Sequence, residues 1–332
     1  MTHPRSKRLL EYLFTVAVIV TLNFALPRVM PGDPFLYLSA DQDQEVAQFS
    51  AAQQDYYRRQ YGLDRPLVQQ YAAYLAALVR GDLGYSIYYN QGVTAVLVDR
   101  LPWTLLLVTA AVVLSTLAGC LLGSISAAFR GHALDRWLYP ALIAVSEIPA
   151  FLLGLLLLFT LAAGWQLFPL SGAMTHFAVY ASPWDRLADI ARHAALPVLT
   201  LAIVRTGGLY LLARSSTATV LTRDYLRTAR AKGLHPLRIL TRHTLRNAML
   251  PIVTRVFLSL GGLVGGAILV ENVFAYPGLG HLMREAVLVH DYPMIQGIFL
   301  LVTLSVLTAN YLADRVYGRL DPRIRETPAE AR

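Results

Sequence analysis

Apolar residues gather into long runs along this chain, separated by shorter polar stretches in which Arg recurs. A helix needs about 20 apolar residues to cross about 30 Å of hydrocarbon. Six runs meet that length, at roughly 9–29, 102–129, 137–164, 196–221, 250–271 and 293–316. Between the first two lies a polar segment, 30–101, where Tyr57, Tyr61, Leu67, Tyr71, Tyr74, Leu75 and Leu78 recur at helical spacing and predict short amphipathic helices. The connection 165–195 carries Pro169, Gly172, Pro183 and Trp184 with few charges, which suits a segment at the membrane interface. The pattern predicts an all-α polytopic membrane protein with six transmembrane helices. Its parts are a tail and first span (1–29), an external loop region (30–101), a five-span core (102–316) with a loop at 223–250, and a tail (317–332).

Composition agrees. A hydrophobic share of 55% with 15% charged residues and a mean hydropathy of +0.46 is too apolar for an ordinary soluble domain of this length. Charge then orients the spans. With the N-terminus inside, the inner set holds most of the 29 Lys and Arg residues, among them Arg5, Lys7, Arg8, Arg130, Arg136, Arg214, Arg223, Arg315, Arg319, Arg323 and Arg325. The positive-inside rule therefore predicts that both termini are cytoplasmic. The net charge of +8 sits at span ends, where it meets anionic lipid, and no separate basic domain suggests a nucleic-acid partner. Met1 to Leu26 has a basic start before an apolar run, but the run is long and lacks a small-x-small cleavage site, so it is expected to stay as the first span.

The loop at 223–250 is the most distinctive stretch. It concentrates Arg227, Arg230, Lys232, Arg238, Arg242 and Arg246 in two short helical pieces punctuated by Gly233 and Pro236. Gly tolerates a left-handed helix end and Pro fits a first helical turn, so a helix–turn–helix between two spans is expected. Thr228, Ala229, Ala231 and Gly233 are small enough to let a partner's groove approach, and Arg227 and Arg230 share a face at i, i+3. A lipid-facing basic loop is the alternative.

Here the chain resembles the permease subunits of bacterial ATP-binding-cassette importers, in particular the peptide and nickel permease family. The resemblance is carried by Asp224-Tyr225-Leu226-Arg227-Thr228-Ala229-Arg230-Ala231-Lys232-Gly233-Leu234 and by His243-Thr244-Leu245-Arg246-Asn247-Ala248-Met249-Leu250-Pro251. Further pieces follow in order: Pro31-Gly32-Asp33-Pro34, Tyr61-Gly62-Leu63-Asp64, Gly81-Asp82-Leu83-Gly84, Glu271-Asn272-Val273-Phe274 to Pro277-Gly278-Leu279-Gly280, and Leu320-Asp321-Pro322-Arg323-Ile324-Arg325. In the broader superfamily the loop motif begins Glu-Ala-Ala. The aligned positions here are Arg227, Thr228 and Ala229, a departure that matches the peptide and nickel branch. The resemblance implies a fold like that of type I importer permeases and a heterodimer with a second permease. It also implies two ATPase subunits that bind ATP and Mg, an external substrate-binding protein, and a coupling helix at 224–234 that docks an ATPase. Short peptides are the implied cargo, with nickel chelates, glutathione or oligosaccharides as alternatives.

No catalytic constellation competes with that reading. The two lysines, Lys7 and Lys232, lack the Gly-Lys-Ser/Thr context of a phosphate-cradling loop, so the chain is expected to bind no cofactor of its own. The eight His residues show no metal-ligand spacing, and there is no Gly-x-Ser-x-Gly elbow. These absences count against a polytopic membrane enzyme, the rival class, and a channel has no use for a coupling motif. The single Cys120 lies inside the second run and excludes a disulfide within the chain. Gly261, Gly262, Gly265 and Gly266 are expected to pack a neighbouring helix closely. Glu147 and Arg205 are candidates for the translocation path, since ionisable groups in a membrane are costly unless they face water or a partner. Arg255 lies nearer a span end and is expected to snorkel.

Overall fold

The structure is a computed structural model that describes residues 4–29, 59, 64–86, 88–235 and 238–320, without the side chains of 4–13, 230, 240, 250, 257–264 and 312–320. Pro31 to Pro34, Tyr57, Tyr61 to Leu63, Pro236, and Asp321 to Arg325 with the rest of the tail lie outside the described residues. The chain divides into two compact units, Met1–Pro102 with Gly278–Leu304, and Trp103–Pro277 with Ser305–Arg332. The helices are α1 (Pro4–Val29), α2 (Leu67–Val79), α3 (Val93–Ala128), α4 (Ala133–Ser146), α5 (Ala150–Leu157), α6 (Pro183–Leu221), α7 (Asp224–Ala231), α8 (Arg246–Val273), α9 (Leu279–Leu288) and α10 (Tyr292–Leu320). Between α2 and α3 a two-residue hairpin, β1 (Tyr85–Ser86) with β2 (Gln91–Gly92), interrupts the expected all-helical order. Its turn is closed locally, by the Tyr85 hydroxyl donating to the Asn90 carbonyl at 2.5 Å.

Among the described residues, three helical stretches are long and apolar enough to cross a membrane: α3, α6 and Tyr292–Tyr311 of α10. A fourth crossing exists if α4 and the segment Ala150–Gly164 count as one broken span. Helices α1 and α8 occupy the first and fifth apolar runs.

Three boundaries differ from the sequence pattern. The third run is not one straight helix: it bends by 99° between Ser146 and Ala150. Pro149 supplies no amide hydrogen, and its ring disfavours helical backbone at Ile148, so α4 ends with Glu147 at its cap. The fourth helix begins at Pro183 and absorbs part of the expected interfacial connection. Ser182 caps it by accepting from the Asp185 amide at 3.2 Å, with Pro183 in the first turn. The second half of the basic loop is not a separate piece either. A π-helical turn, Ile239–Leu245, runs directly into α8.

In the first unit, the aromatic stripe of α2 packs on α1. Tyr71 and Tyr74 stand 5.0 and 5.6 Å from the Phe24 ring, and Tyr74 accepts from Asn23 at 3.1 Å. A core of Val93, Val96 and Leu97 meets Leu279, Leu282 and Ala286 of α9 and Met294, Ile295 and Ile298 of α10. Asp291 is buried there and accepts from Ser86 and from the Met294 amide. Glu285 accepts from the Tyr89 hydroxyl at 2.5 Å and faces His281 at 3.4 Å. His281, then Tyr89, hold the Glu285 carboxyl below its ordinary value, while burial and Glu285 push the Tyr89 phenol up.

The second unit is built around α6, whose buried Leu196, Leu201 and Ala202 share a core with Leu107, Val108 and Ala111 of α3 and Ala267 and Val270 of α8. Lipid offers no hydrophobic drive between helices, so close packing and hydrogen bonds must hold them. Gly119 and Gly123 of α3 supply the first. A Cβ at Gly119 would stand 2.7 Å from the Leu209 Cβ, and one at Gly123 2.7 Å from the Ala213 Cβ. Gly207 makes a similar approach to Ser146.

Candidate functional site

The basic loop folds as a capped amphipathic helix on a small core of its own. Asp224 stands in the first turn of α7, where a negative side chain suits the helix dipole. At the other end the Leu234 amide donates to the Ala229 carbonyl at 3.3 Å, with Gly233 left-handed at φ 71. That bond and that conformation define a Schellman end, and only Gly adopts it without a side-chain penalty. Leu226 and Ala229, three apart, turn inward with Ile239 to form the core, with Val220, Leu221 and Leu234 packed around it.

The outward face consists of Asp224, Tyr225, Arg227, Thr228, Ala231, Lys232 and Gly233, all exposed. Arg227 pairs with Asp224 at 3.5 Å on the surface, and such an exposed pair contributes at most about 1 kcal/mol. The side chain of Arg230 lies outside the described residues. Ala229 therefore does not face outward as its small size suggested; it is 7% exposed and belongs to the loop's core.

One hydrogen bond ties the loop helix to α8, and a second ties the two flanking helices to each other beside it. Asn247 donates to the Tyr225 hydroxyl at 2.9 Å, which joins the two motif pieces read from the sequence. Ser216 of α6 donates to the carbonyl of buried Ala248 in α8 at 2.9 Å. The loop thus presents a polar, partly basic surface on a base bonded to α6 and α8.

The other sequence candidates fall elsewhere. Glu147 is exposed at the break between α4 and α5, and Arg205 is half-buried on α6 within electrostatic reach of Arg255. Gly265 and Gly266 meet nothing among the described residues within 4 Å of an added Cβ, and Gly261 and Gly262 lie where side-chain surroundings are not described. Among the described residues, a Gly-xxx-Gly pair that packs closely is Gly119 with Gly123, which does not figure among the sequence candidates.

Two buried acids were given no role by the sequence, Glu271 though it opens a motif piece, and Asp135. Glu271 is fully buried and accepts from Thr104 at 2.7 Å. Asp135 of α4 accepts from Arg214 of α6 at 2.8 and 2.9 Å. A signal existed for both: a lone acid beside an apolar run is costly unless paired. Among the described residues, no group of three or more His, Cys, Asp or Glu is placed to hold a metal ion.

A set of long apolar helices that carries a capped polar helix between two of them is the architecture of an importer permease. The chain is similar in fold to the MetNI methionine ABC transporter in inward facing conformations, with a TM-score of 0.53 and 17% identity over 69% of this chain and 97% of that one. Residues 119–326, more than half of the chain, match the family described as binding-protein-dependent transport system inner membrane component, and the chain belongs to that family. A protein of Brucella suis biovar 1 is 39% identical over 322 residues, 96% of this chain and 98% of that one. The dipeptide transport system permease protein of Escherichia coli strain K12 is 34% identical over 326 residues, 92% and 94% of the two chains. The glutathione transport system permease protein of Escherichia coli O6:H1 is 35% identical over 322 residues, 96% and 97%. The chain is thus a transport component of the bacterial inner membrane and a permease by family.

Proposed function

We propose that this chain is one of two permease subunits of an ATP-driven importer of short peptides, with the loop at 223–250 on the cytoplasmic side. The observation that carries the reading is the built surface of α7: a capped helix whose exposed Tyr225, Arg227, Thr228 and Lys232 stand on a core fastened to two long helices. Such a surface suits an ATPase subunit, which binds ATP and Mg in the chain's stead. The basic charge at the predicted inner span ends supports six spans with both termini inside. An external binding protein delivers cargo, closure of the ATPase dimer pushes α7, and the spans reorient. Glu147 and Arg205 are proposed to face the path. A peptide cargo follows the names of the dipeptide and glutathione relatives, both of which move short peptides.

Competition for uptake tests this. Cells dependent on the system are expected to lose uptake of a labelled dipeptide when unlabelled short peptides are added, with nickel having no effect. Intact peptide uptake after deletion of the subunit, together with loss of nickel-dependent enzyme activity, would replace peptide by a nickel chelate.

A further inference from the structure

The long helix α6 ends at Leu221 and the loop helix α7 begins at Asp224, so a displacement of α7 acts first on the end of α6. Two helical turns before that end, about 10 Å along the axis, Arg214 is held by an unusually complete set of partners. Its Nε donates to Asp135 Oδ1 at 2.8 Å and its Nη2 to Asp135 Oδ2 at 2.9 Å. The guanidinium carbon lies 5.2 Å from the Tyr139 ring centroid. Ser126 of α3 donates to Asp135 Oδ1 and lies 2.7 Å from the Tyr210 hydroxyl, and the Gly131 amide donates to Asp135 Oδ2 at 3.2 Å. Ser126, Tyr210 and Asp135 are all buried. One turn further on, Ser124 and Thr217 lie within hydrogen-bond distance at 3.2 Å, and above the node Gly119 and Gly123 bring the α3 and α6 backbones together.

Apolar contacts between helices tolerate a small slide, since one ridge can settle in the next groove. A bidentate pair does not, because its two parallel bonds fix angle as well as distance. Burying such a pair contributes little net stability compared with an apolar contact of the same size, so the geometry is where its use lies. We propose that the Asp135–Arg214 node is the rigid joint through which a push on α7 moves α3, α4 and α6 as one body, with Asp135 and Arg214 as positioning residues for transport. The inference rests on α7 being the ATPase contact.

The test uses the whole complex in proteoliposomes, with dipeptide uptake and ATP hydrolysis measured in the same vesicles. Asp135→Asn is expected to keep hydrolysis within about twofold and to lower peptide moved per ATP at least fivefold. Asp135→Asn with Arg214→Gln is expected to be no worse than the single change, as befits one shared interaction. Arg214→Lys, which keeps the charge and loses the fork, is expected to lower the ratio less. A merely structural role would reduce assembled complex and scale hydrolysis and uptake together, leaving the ratio at the wild-type value. That result in Asp135→Asn overturns the joint, and if Asp135→Asn does not assemble, an unchanged ratio in Arg214→Lys overturns it equally. A wild-type complex that takes up no peptide on addition of ATP overturns the importer reading itself, and the joint with it.

Discussion

Gly123→Ala adds a single methyl group where the α3 and α6 backbones cross closely. Its carbon would stand 2.5 Å from the Tyr210 carbonyl oxygen, 2.7 Å from the Ala213 Cβ and 2.9 Å from the Arg214 amide nitrogen. Two of those atoms are backbone, so relief requires α3 and α6 to part. Overpacking of this kind costs about 1–3 kcal/mol, whereas Ala is favoured over Gly inside a helix by roughly 0.5–1 kcal/mol. Gly208→Ala isolates the second effect, because nothing lies within 4 Å of an added Cβ there. The two variants should therefore differ by the overpacking cost alone. Cys120, the chain's single cysteine, lies beside Gly119 and packs against the cluster of Leu209, Ala213 and Ile252, so its alkylation reports opening of the same interface. In the purified complex, Gly123→Ala is expected to lower the thermal midpoint and to speed Cys120 alkylation by roughly tenfold per 1.4 kcal/mol lost. Gly208→Ala is expected to leave both unchanged or slightly improved. Equal midpoints and equal alkylation rates in the two variants would refute the close crossing.

The loop's two faces should respond differently to charge. Ala229→Glu places a carboxylate among Leu226, Ile239 and Leu234, and burial of an unpaired charge is expected to unfold the loop and expose it to limited proteolysis. Thr228→Glu, on the exposed face, should leave proteolysis unchanged and lower transport-coupled ATP hydrolysis; the same proteolysis pattern in both would contradict the inward placement of Ala229. The Glu285 carboxyl titrates below its ordinary value, chiefly through His281. A group with a lowered folded pKa stabilises the fold above its unfolded value of about 4.3 and ceases to do so as pH falls through the folded one. Glu285→Gln should accordingly flatten the fall of the thermal midpoint with pH below about 4.3, and an unchanged slope would remove Glu285 from the account of acid sensitivity.

Local chemistry was legible in the sequence where one residue decides one dihedral. Gly233 ends α7 because its backbone must turn left-handed, and nothing distant is needed to see that. The long apolar runs were legible for the same reason: span length follows from hydrocarbon thickness. What failed were the points at which two remote segments meet. Both Gly119-xxx-Gly123 and the glycines at 261–266 satisfy the small-residue pattern, and the placement of α6 beside α3 is what shows the first to be closely packed. Asp135 and Arg214 lie 79 residues apart, and each alone reads as an ordinary span-end charge. Ala229 was read by size when its spacing from Leu226, i and i+3, already placed the two on one face.

The loop's two attachments differ in kind, and the difference bears on how a push on the proposed ATPase contact would spread. Toward α6 the link is short: Thr222 and Arg223 separate the helices, and the Arg223 amide still donates to the Val220 carbonyl at 3.0 Å. Toward α8 the chain passes through the π-helical turn Ile239–Leu245, where Thr244 donates to the Ile239 carbonyl at 3.1 Å. A π-turn holds an extra residue per repeat at the expense of regular bonding and recurs at functional positions. On the proposed reading, a push on α7 would meet a short tether on one side and an irregular one on the other. The hydrogen bonds from Asn247 to Tyr225 and from Ser216 to the Ala248 carbonyl bypass the irregular side, since both reach α8 beyond the π-turn. Regular helix begins again at Arg246, so displacement entering through those bonds reaches α8 without first straightening the turn.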